Sequence, residues 1–310
     1  MVRLTAASLG LMLLFTTLTI YVVFSQRRTF PLSGQRIVFD MGHRDYGVYT
    51  VQPNSSFGEN MRMIFNPQSS FEDRFVTGVD CAPDSRSLIF WYIFLYRFDL
   101  TSRDLTRIVV GDGLSQQSAW SPDGTRIAFL DNLDNGPSRD IFMVDADGAN
   151  KVQITQNNEL ETSLTWAPDG RQIAFSYRET SSPTRQHGLA IVDLASGIAA
   201  PIHESETRVG DVSWSPDGSQ IAFSMAEGSE SYIYTIHPDG SHLKRLNGAA
   251  STNIMPRWSP DGSMISFSAR DPGESYQLYV MSADGSAPYL VFLGLPEEDV
   301  FNRCWLNQPG

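Results

Sequence analysis

The residue types that could carry catalysis or bind a metal are scattered along this chain of 310 residues. Of its five histidines, only His237 and His242 are close together, on either side of a predicted turn, and neither has a Cys or Glu partner in register for a zinc site. The turn Asp145–Gly148 begins like a calcium loop, but Met143 and Ile154 stand where such a loop needs acids. The sequence therefore predicts no metal site, no cofactor and no catalytic residue.

Composition and charge exclude other classes of protein. The chain has 23 basic and 35 acidic side chains, a net charge of −12. A nucleic-acid-binding protein needs a basic surface to displace counterions from phosphates, so this balance predicts no nucleic-acid partner. Two cysteines are too few for a disulfide-stapled miniprotein. The Gly-x-Ser-x-Gly motif of an α/β-hydrolase is missing from the sequence, which argues against an enzyme of that class.

One sequence unit recurs and predicts the elements of the fold. It reads Ser-Ala-Trp-Ser-Pro-Asp-Gly-Thr-Arg-Ile-Ala-Phe at 118–129 and returns at 164–175, 212–223 and 256–267, with a degenerate copy at 79–90. Its turn prolines are 39 residues apart at the closest (83 to 122) and 48 at the furthest (168 to 216), the length of a four-stranded blade. Ser-Pro-Asp-Gly favours a hairpin turn, and Ile-Ala-Phe alternates large and small side chains as a strand does.

The number of repeats predicts how the blades close. Strands of the Ile-Ala-Phe type occur six times, from Ile37–Phe39 to Ile265–Phe267. The first repeat lacks a tryptophan strand, and the C-terminus supplies an unmatched one at Phe301–Leu306. We therefore predict an all-β, six-bladed β-propeller over residues 31–310, in which this last strand pairs with Gln35–Asp40 and no apolar sheet face is left open. The repeat residues with predicted structural roles are Trp120, Trp166, Trp214, Trp258, Trp305, Asp123, Asp169, Asp217 and Asp261.

The repeat carries a family resemblance. Trp-Ser-Pro-Asp-Gly followed by Ile-Ala-Phe resembles the TolB-type propeller repeat (the WD40-like PD40 repeat), which also occurs in the propellers of prolyl-oligopeptidase-like peptidases. The resemblance spans residues 34–306 and implies the propeller fold. We expect neither the α/β domain of TolB nor the hydrolase domain of the peptidases in this chain, so the resemblance alone does not imply either activity.

The first thirty residues are predicted to be a separate segment. Leu4–Phe24 is an uncharged run of 21 residues between Arg3 and the pair Arg27–Arg28. As a helix it would span about 31 Å, close to the thickness of a bilayer core. A cleaved signal peptide is the alternative, but its apolar core is usually shorter. We predict that residues 1–30 form a membrane anchor and linker, with the N-terminus in the cytoplasm and the propeller outside it.

Acidic side chains are concentrated in the longer predicted loops. In a propeller, the loops between second and third strands and those between blades emerge at the same end. The acids could form a negative rim around the central channel that attracts a basic partner, a metal ion or a carbohydrate, or they could simply be solvated. They are Asp131, Asp134, Glu159, Glu161, Glu204, Glu206, Glu227, Glu230 and Glu297–Asp299.

The second repeat contains an unusual number of aromatic residues. Its predicted loop between second and third strands is short and aromatic, and the segment before the repeat is long. Both would lie at the same end of neighbouring blades and could form an exposed surface of the kind enriched at protein interfaces, or bury their rings privately. We call this set the aromatic patch: Phe71, Arg74, Phe75, Trp91, Tyr92 and Phe94.

The two cysteines lie in strands predicted to be neighbours. Cys81 occupies the tryptophan position of the second repeat, and Cys304 lies one residue before that position in the closing strand. They would point towards each other, but sheets packed ~10 Å apart usually keep α-carbons beyond the reach of a disulfide. Two separate buried thiols are therefore the expected state, with a disulfide as the alternative.

These features together predict a membrane-tethered, extracytoplasmic scaffold in the cell envelope. Its predicted partner is an unidentified envelope protein or peptide that binds the loops of the ring. The alternative is a carbohydrate- or metal-binding propeller, conceivably an enzyme, that uses the acidic loop face at the mouth of the channel.

Overall fold

The structure is a computed structural model that describes residues 35–42, 47–53, 61–65, 77–92, 94–109, 117–132, 138–157, 159–180, 186–293 and 298–307. The predicted anchor Leu4–Phe24 lies outside these residues, as do Phe71, Arg74 and Phe75 of the aromatic patch. Within the described ranges the regular elements are 24 β-strands. No helix in these ranges is long and apolar enough to span a bilayer.

The strands pair with their neighbours in the chain to form antiparallel sheets. The first sheet joins the last strand, β24 (Asp299–Asn307), to β1 (Gln35–Gly42), β2 (Gly47–Val51) and β3 (Arg62–Phe65). The second contains β4 (Thr77–Cys81), β5 (Ser87–Tyr92), β6 (Phe94–Asp99) and β7 (Leu105–Val109). The third contains β8 (Ser118–Trp120), β9 (Arg126–Asp131), β10 (Asp140–Asp145) and β11 (Val152–Gln153). The fourth contains β12 (Glu159–Trp166), β13 (Gln172–Glu179), β14 (His187–Asp193) and β15 (Ala199–Ser205).

The last sheet has eight strands. Its strands are β16 (Val209–Trp214), β17 (Ile221–Glu227), β18 (Glu230–Ile236), β19 (Lys244–Arg245), β20 (Thr252–Trp258), β21 (Met264–Arg270), β22 (Gln277–Ser282) and β23 (Tyr289–Phe292). The predicted six separate blades are therefore corrected: the described residues form four separate four-stranded blades, and the strands of the last two repeats share one sheet. The link is one parallel residue pair, Ser231 with Thr252. It forms because β19 covers only Tyr234 and Thr235 of β18 and leaves Ser231 open to β20.

The C-terminal strand closes the propeller, as the sequence predicts. β24 runs antiparallel to β1 from the pair Gln35–Asn307 to the pair Gly42–Asp299. On one side the indole N–H of Trp305 in β24 donates to the carbonyl of Arg257 in β20 at 3.1 Å. On the other side a disulfide between Cys304 of β24 and Cys81 of β4 joins the two strands. The two ends of the chain's β-structure are thus held in the same sheet.

The core lies between neighbouring sheets and follows the Ile-Ala-Phe pattern. In each repeat the phenylalanine of the second strand is fully buried: Phe39, Phe90, Phe129, Phe175, Phe223 and Phe267. Burying one such ring contributes about 1.5–3 kcal/mol relative to its exposure. The interface between the second and third sheets, for example, packs Ile89 and Trp91 against Ile127 and Phe129. The large side chains therefore hold the sheets together in pairs around the ring.

The connections between strands emerge at two opposite ends of the ring. The hairpin turns between the first and second strands lie at one end, together with those between the third and fourth strands; we call this the turn end. The connections between second and third strands and those between repeats lie at the other, the loop end. β1 is the second strand of its repeat, so the chain enters the propeller at Gln35 at the turn end.

Candidate functional site in the central channel

The first strand of each repeat faces a central channel. A cavity of about 250 Å³ in this channel is lined by residues of β4, β8, β12, β16, β20 and β24, and by the turn prolines Pro83, Pro122 and Pro260. One ring of side chains occupies the same register in these strands, directly before the tryptophan position. Its members are Asp80, Ala119, Thr165, Ser213, Arg257 and Cys304, and all of them line the cavity.

Three members of this ring cap the next inner strand. Asp80 Oδ2 accepts a hydrogen bond from the backbone N–H of Trp120 at 2.9 Å. Thr165 Oγ1 and Ser213 Oγ accept the equivalent N–H of the next repeat, each at 3.3 Å. A backbone N–H that is buried without a partner is costly, so these side chains are needed where neighbouring inner strands do not pair as a sheet. A hydroxyl is sufficient for this purpose.

Arg257 joins three inner strands through its guanidinium. Its Nε donates to the carbonyl of Arg303 at 2.7 Å, and its Nη1 donates to the carbonyls of Pro256 at 2.8 Å and Val212 at 3.4 Å. Burial lowers the pKa of Arg257, and the carboxylates of Asp211 and Asp80 act in the opposite direction. The guanidinium is thus a positive charge fixed in the channel wall.

A buried ion pair lies beside Arg257. Arg303 donates from Nη2 to Asp40 Oδ2 at 3.0 Å and from Nε to the second carboxylate oxygen. Both side chains are almost inaccessible to solvent. The pair links β24 to β1, and removing either partner would leave an uncompensated buried charge.

Asp80 is the acidic group of the channel with a raised pKa. Desolvation by burial raises the pKa of its carboxyl group to about 6, although the hydrogen bond from Trp120 and the charge of Arg257 both lower it. Neither Asp80 nor Arg257 was identified as a functional candidate from the sequence. Comparison of the repeats could have identified them, because Ala, Thr and Ser occupy the same position in other repeats and only these two members are charged.

A second buried polar cluster lies near the loop end of the third and fourth repeats. Glu161 is fully buried and accepts hydrogen bonds from Thr155 Oγ1 at 3.1 Å and Asn157 Nδ2 at 3.3 Å. Desolvation, with repulsion from Asp140 and Glu159, raises the pKa of Glu161 to about 8. Burial raises the pKa of Asp140 as well, and repulsion from Glu179 adds to the effect of burial on Glu159. Glu161 therefore favours its protonated, neutral form near pH 7.

The other acids of the predicted rim are not uniformly solvated. Asp131 is buried and forms a 2.6 Å ion pair with Lys151. Glu227 forms a 3.0 Å ion pair with Arg245, and Glu298 is buried. Glu206 is exposed, and Asp134 lies outside the described residues. An acid held in one of these ion pairs can attract another partner only if its ion pair breaks.

The aromatic patch needs a correction at Trp91. This side chain is only 2 % exposed and packs on Phe129 with a 5.6 Å distance between ring centroids, so it belongs to the core between two sheets. Tyr92 and Phe94 are partly buried, and the guanidinium of Arg107 lies 5.0 Å from the Phe94 ring. Trp91 lies two residues after Ile89 in β5, so both side chains are on the same face of the strand and pack against the third sheet. The sequence predicted a loop at this position and therefore an exposed ring.

The repeat tryptophans and aspartates occupy equivalent places in their repeats. Trp120, Trp166, Trp214 and Trp305 are buried, and Trp258 is partly exposed. In the third repeat Asp123 Oδ1 accepts from Ser121 Oγ at 2.6 Å and from the Thr125 backbone N–H at 3.0 Å, which lowers the pKa of Asp123 to about 2. Equivalent bonds to the backbone are made by Asp169, Asp217 and Asp261.

The cysteines form a disulfide, so the expectation of two separate thiols is wrong. Cys81 of β4 and Cys304 of β24 are bonded, with their α-carbons 5.8 Å apart. The ~10 Å spacing of packed sheets does not apply at this position, because the sheets of a propeller fan outward and their inner strands converge on the channel. The bond joins the closing strand to the next inner strand, next to Asp80 and Arg303.

The described residues contain no group of three or more His, Cys, Asp or Glu side chains that could hold a metal ion. What the channel offers instead is a small polar cavity with fixed charges of both signs. A closed ring of antiparallel sheets around such a channel defines a β-propeller.

Sequence comparison identifies which propeller family this is. Residues 125–295, more than half of the chain, match the family described as TolB beta propeller domain, and the chain belongs to that family. A comparison with curated proteins finds no match.

Solved structures show the same fold at low sequence identity. A putative TolB from Agrobacterium tumefaciens is 19% identical with a TM-score of 0.67, over 87% of this chain and 98% of that chain. TolB from Acinetobacter baumannii is 19% identical with a TM-score of 0.70, over 89% of this chain and 67% of that one. An oligogalacturonate lyase from Vibrio parahaemolyticus is 14% identical with a TM-score of 0.56, over 85% and 74% of the two chains.

Proposed function

We propose that this protein is a membrane-tethered propeller outside the cytoplasm that acts as a binding scaffold for a protein or peptide of the cell envelope. The observation that carries the proposal is the disulfide between Cys81 and Cys304, because such bonds form and persist in oxidising compartments. Membership of the TolB propeller family agrees with an envelope location. In this proposal Leu4–Phe24 is the anchor, and the six repeats form a rigid ring that presents its loop end to the partner.

The state of the two cysteines in living cells tests the compartment. We expect that acid quenching followed by a maleimide mass tag leaves the full-length chain unlabelled, because both thiols are oxidised. After reduction the same sample should take two tags. The matched control is Cys304→Ser, which leaves Cys81 without its partner and should take one tag before reduction. Two tags on the unreduced wild-type chain would show a reducing compartment and contradict the proposal.

The partner surface is proposed at the loop end near Phe94. With Trp91 buried, the accessible part of the aromatic patch among described residues is Phe94 and Tyr92, beside the guanidinium of Arg107. Partly exposed aromatic rings next to arginine have the composition of binding hot spots. Tyr92 and Phe94 are paired across β5 and β6, the two middle strands of the second sheet, so a partner would not have to order them on binding.

Photo-crosslinking from two positions tests this surface. Phe94→p-benzoylphenylalanine should give a discrete crosslinked band in intact cells. The control places the same group at Ile198, which is 67 % exposed at the turn end. We expect no equivalent band from the control position. Identical bands from both positions, or none from Phe94, would count against a partner at the loop end.

A carbohydrate- or metal-binding function, with or without catalysis, is the alternative. The fold is shared with an oligogalacturonate lyase, but at 14% identity this likeness extends to the fold alone. Two acids on which that alternative relied are buried, Asp131 in an ion pair with Lys151 and Glu161 in hydrogen bonds, whereas the ion pair of Glu227 with Arg245 lies at the surface. The scaffold is therefore the function that the described residues support best.

A further inference from the structure

The ring of residues before the tryptophan position contains more charge than its structural role requires. Thr165 and Ser213 cap the next strand with one hydroxyl each. Asp80 makes the same cap with one carboxylate oxygen, and in doing so places a charge in a desolvated channel. A hydroxyl would satisfy the same N–H at lower desolvation cost, so the carboxylate of Asp80 supplies negative charge and acceptor sites beyond those the cap needs.

Three polar groups around the cavity keep hydrogen-bonding capacity that the described residues do not use. The Asp80 carboxylate accepts from the backbone N–H of Trp120 through Oδ2, and a backbone hydrogen bond from Cys81 also acts on it; two carboxylate oxygens still have acceptor sites for a further donor. Arg257 uses Nε and Nη1 for backbone carbonyls, so Nη2 has no acceptor. The indole N–H of Trp120 is buried and makes no hydrogen bond, and Trp120 itself is only 7 % exposed. All three residues line the same cavity.

The signs of these groups restrict what can satisfy them. The Asp80 carboxylate can accept a further hydrogen bond and favours a cation. Nη2 of Arg257 and Nε1 of Trp120 need acceptors, and a guanidinium binds carboxylates best. A simple anion would be repelled by the Asp80 carboxylate, and a simple cation would leave both donors without an acceptor. The cavity of about 250 Å³ is far larger than one water needs, which is ~10–15 Å³ by this measure, so it has room for a small organic molecule.

We propose that the channel binds a small zwitterion, a molecule with one primary amine and one carboxylate. Its ammonium group donates to the Asp80 carboxylate, and its carboxylate accepts from Arg257 Nη2 and Trp120 Nε1. The disulfide of Cys81 with Cys304 and the ion pair of Arg303 with Asp40 hold the neighbouring wall in place, so the charged groups are preorganised. This site is independent of the proposed scaffold function, and either can fail without the other.

Calorimetric titration of the full-length protein with a series of amino acids tests the site. The probes are glycine, β-alanine, γ-aminobutyrate and δ-aminovalerate, which differ in the separation of amine and carboxylate. We expect one of them to bind at least ten-fold more tightly than methylammonium or acetate. Asp80→Thr should weaken that binding at least ten-fold, while the cap to Trp120 is kept as Thr165 keeps it in its own repeat.

The matched control is Glu206→Gln, which removes a negative charge from an exposed residue that does not line the cavity and should leave the affinity within about two-fold. Asp80→Asn is a second neutral variant for use if threonine prevents folding. The proposal is overturned if no probe binds the wild-type chain, in which case the cavity holds water only. It is also overturned if the neutral variants bind the probe as tightly as the wild type, or if methylammonium or acetate alone binds as tightly.

Discussion

At the scale of single residues, the polar groups with the most altered chemistry are inside the protein. Burial raises the pKa values of both Glu161 and Asp80, but the two side chains have different structural roles. Asp80 caps a strand in the channel, and Glu161 receives hydrogen bonds from Thr155 and Asn157 between two repeats. Neither role could be predicted from the sequence, because burial of a carboxylate depends on the packing of strands that are distant in the chain.

Glu161 makes a prediction about pH. The pKa of Glu161 is about 8 in the folded protein against about 4.5 in the unfolded chain, so the folded state holds this proton more tightly. Its contribution to stability is complete below pH 4.5 and is lost as the pH rises through 8. In Glu161→Gln this loss should be removed, because the glutamine oxygen can accept from Asn157 and its NH₂ group can donate to Thr155 Oγ1.

Urea unfolding at pH 5.5 and pH 8.5 measures the effect. We expect the wild type to lose stability relative to Glu161→Gln between these values by more than ~1.4 kcal/mol, the equivalent of one pKa unit. The control is Glu206→Gln, an exposed acid of the same predicted rim, which should follow the wild type. Parallel pH profiles for wild type and Glu161→Gln would show that Glu161 does not titrate in this range.

At the scale of elements, the repeat predicted most of what is present. Ser-Pro-Asp-Gly forms the turn that its residue types favour: Gly124 donates its N–H to the Ser121 carbonyl at 2.9 Å and has a φ of 69°. The turns are also nested, since the position of a Cβ on Gly124 would lie 3.9 Å from Pro83 of the preceding turn. Such local signals are readable because each depends on residues within a few positions of one another.

The element-level errors came from contacts that are not local. The shared sheet of the last two repeats depends on one pair, Ser231 with Thr252, at a part of β18 that the two-residue strand β19 does not cover. These residues belong to different repeats, so the repeat pattern does not predict the pair. The aromatic patch failed at Trp91 because β5 is buried on both faces up to Trp91, and a run of aromatic residues in the sequence does not show where that burial ends. Burial of a given face is fixed by the neighbouring sheet.

At the scale of the whole molecule, one strand decides whether the sheets form a ring. The pairing of β24 with β1 was predictable because the first repeat lacked a strand and the C-terminus had one to spare. The disulfide was not, because its feasibility depends on how far the inner strands converge. Together with the ion pair of Arg303 and Asp40, the disulfide links β24 to β4 and β1, two strands to which β24 has no direct chain connection.

This arrangement predicts that opening the disulfide weakens the whole ring. Cys81 and Cys304 are 223 residues apart in the chain, so their bond restricts most of the unfolded propeller. On the chain-entropy account a bond across so long a loop contributes about 2–5 kcal/mol, and its loss should let β24 detach together with β1.

We expect a reducing agent to lower the melting temperature of the wild type by several degrees in calorimetry. The Cys81→Ser/Cys304→Ser double variant should melt at the lower temperature and be insensitive to reductant. An unchanged melting temperature after complete reduction, verified by thiol titration, would mean that hydrogen bonds and the ion pair alone hold the closing strand.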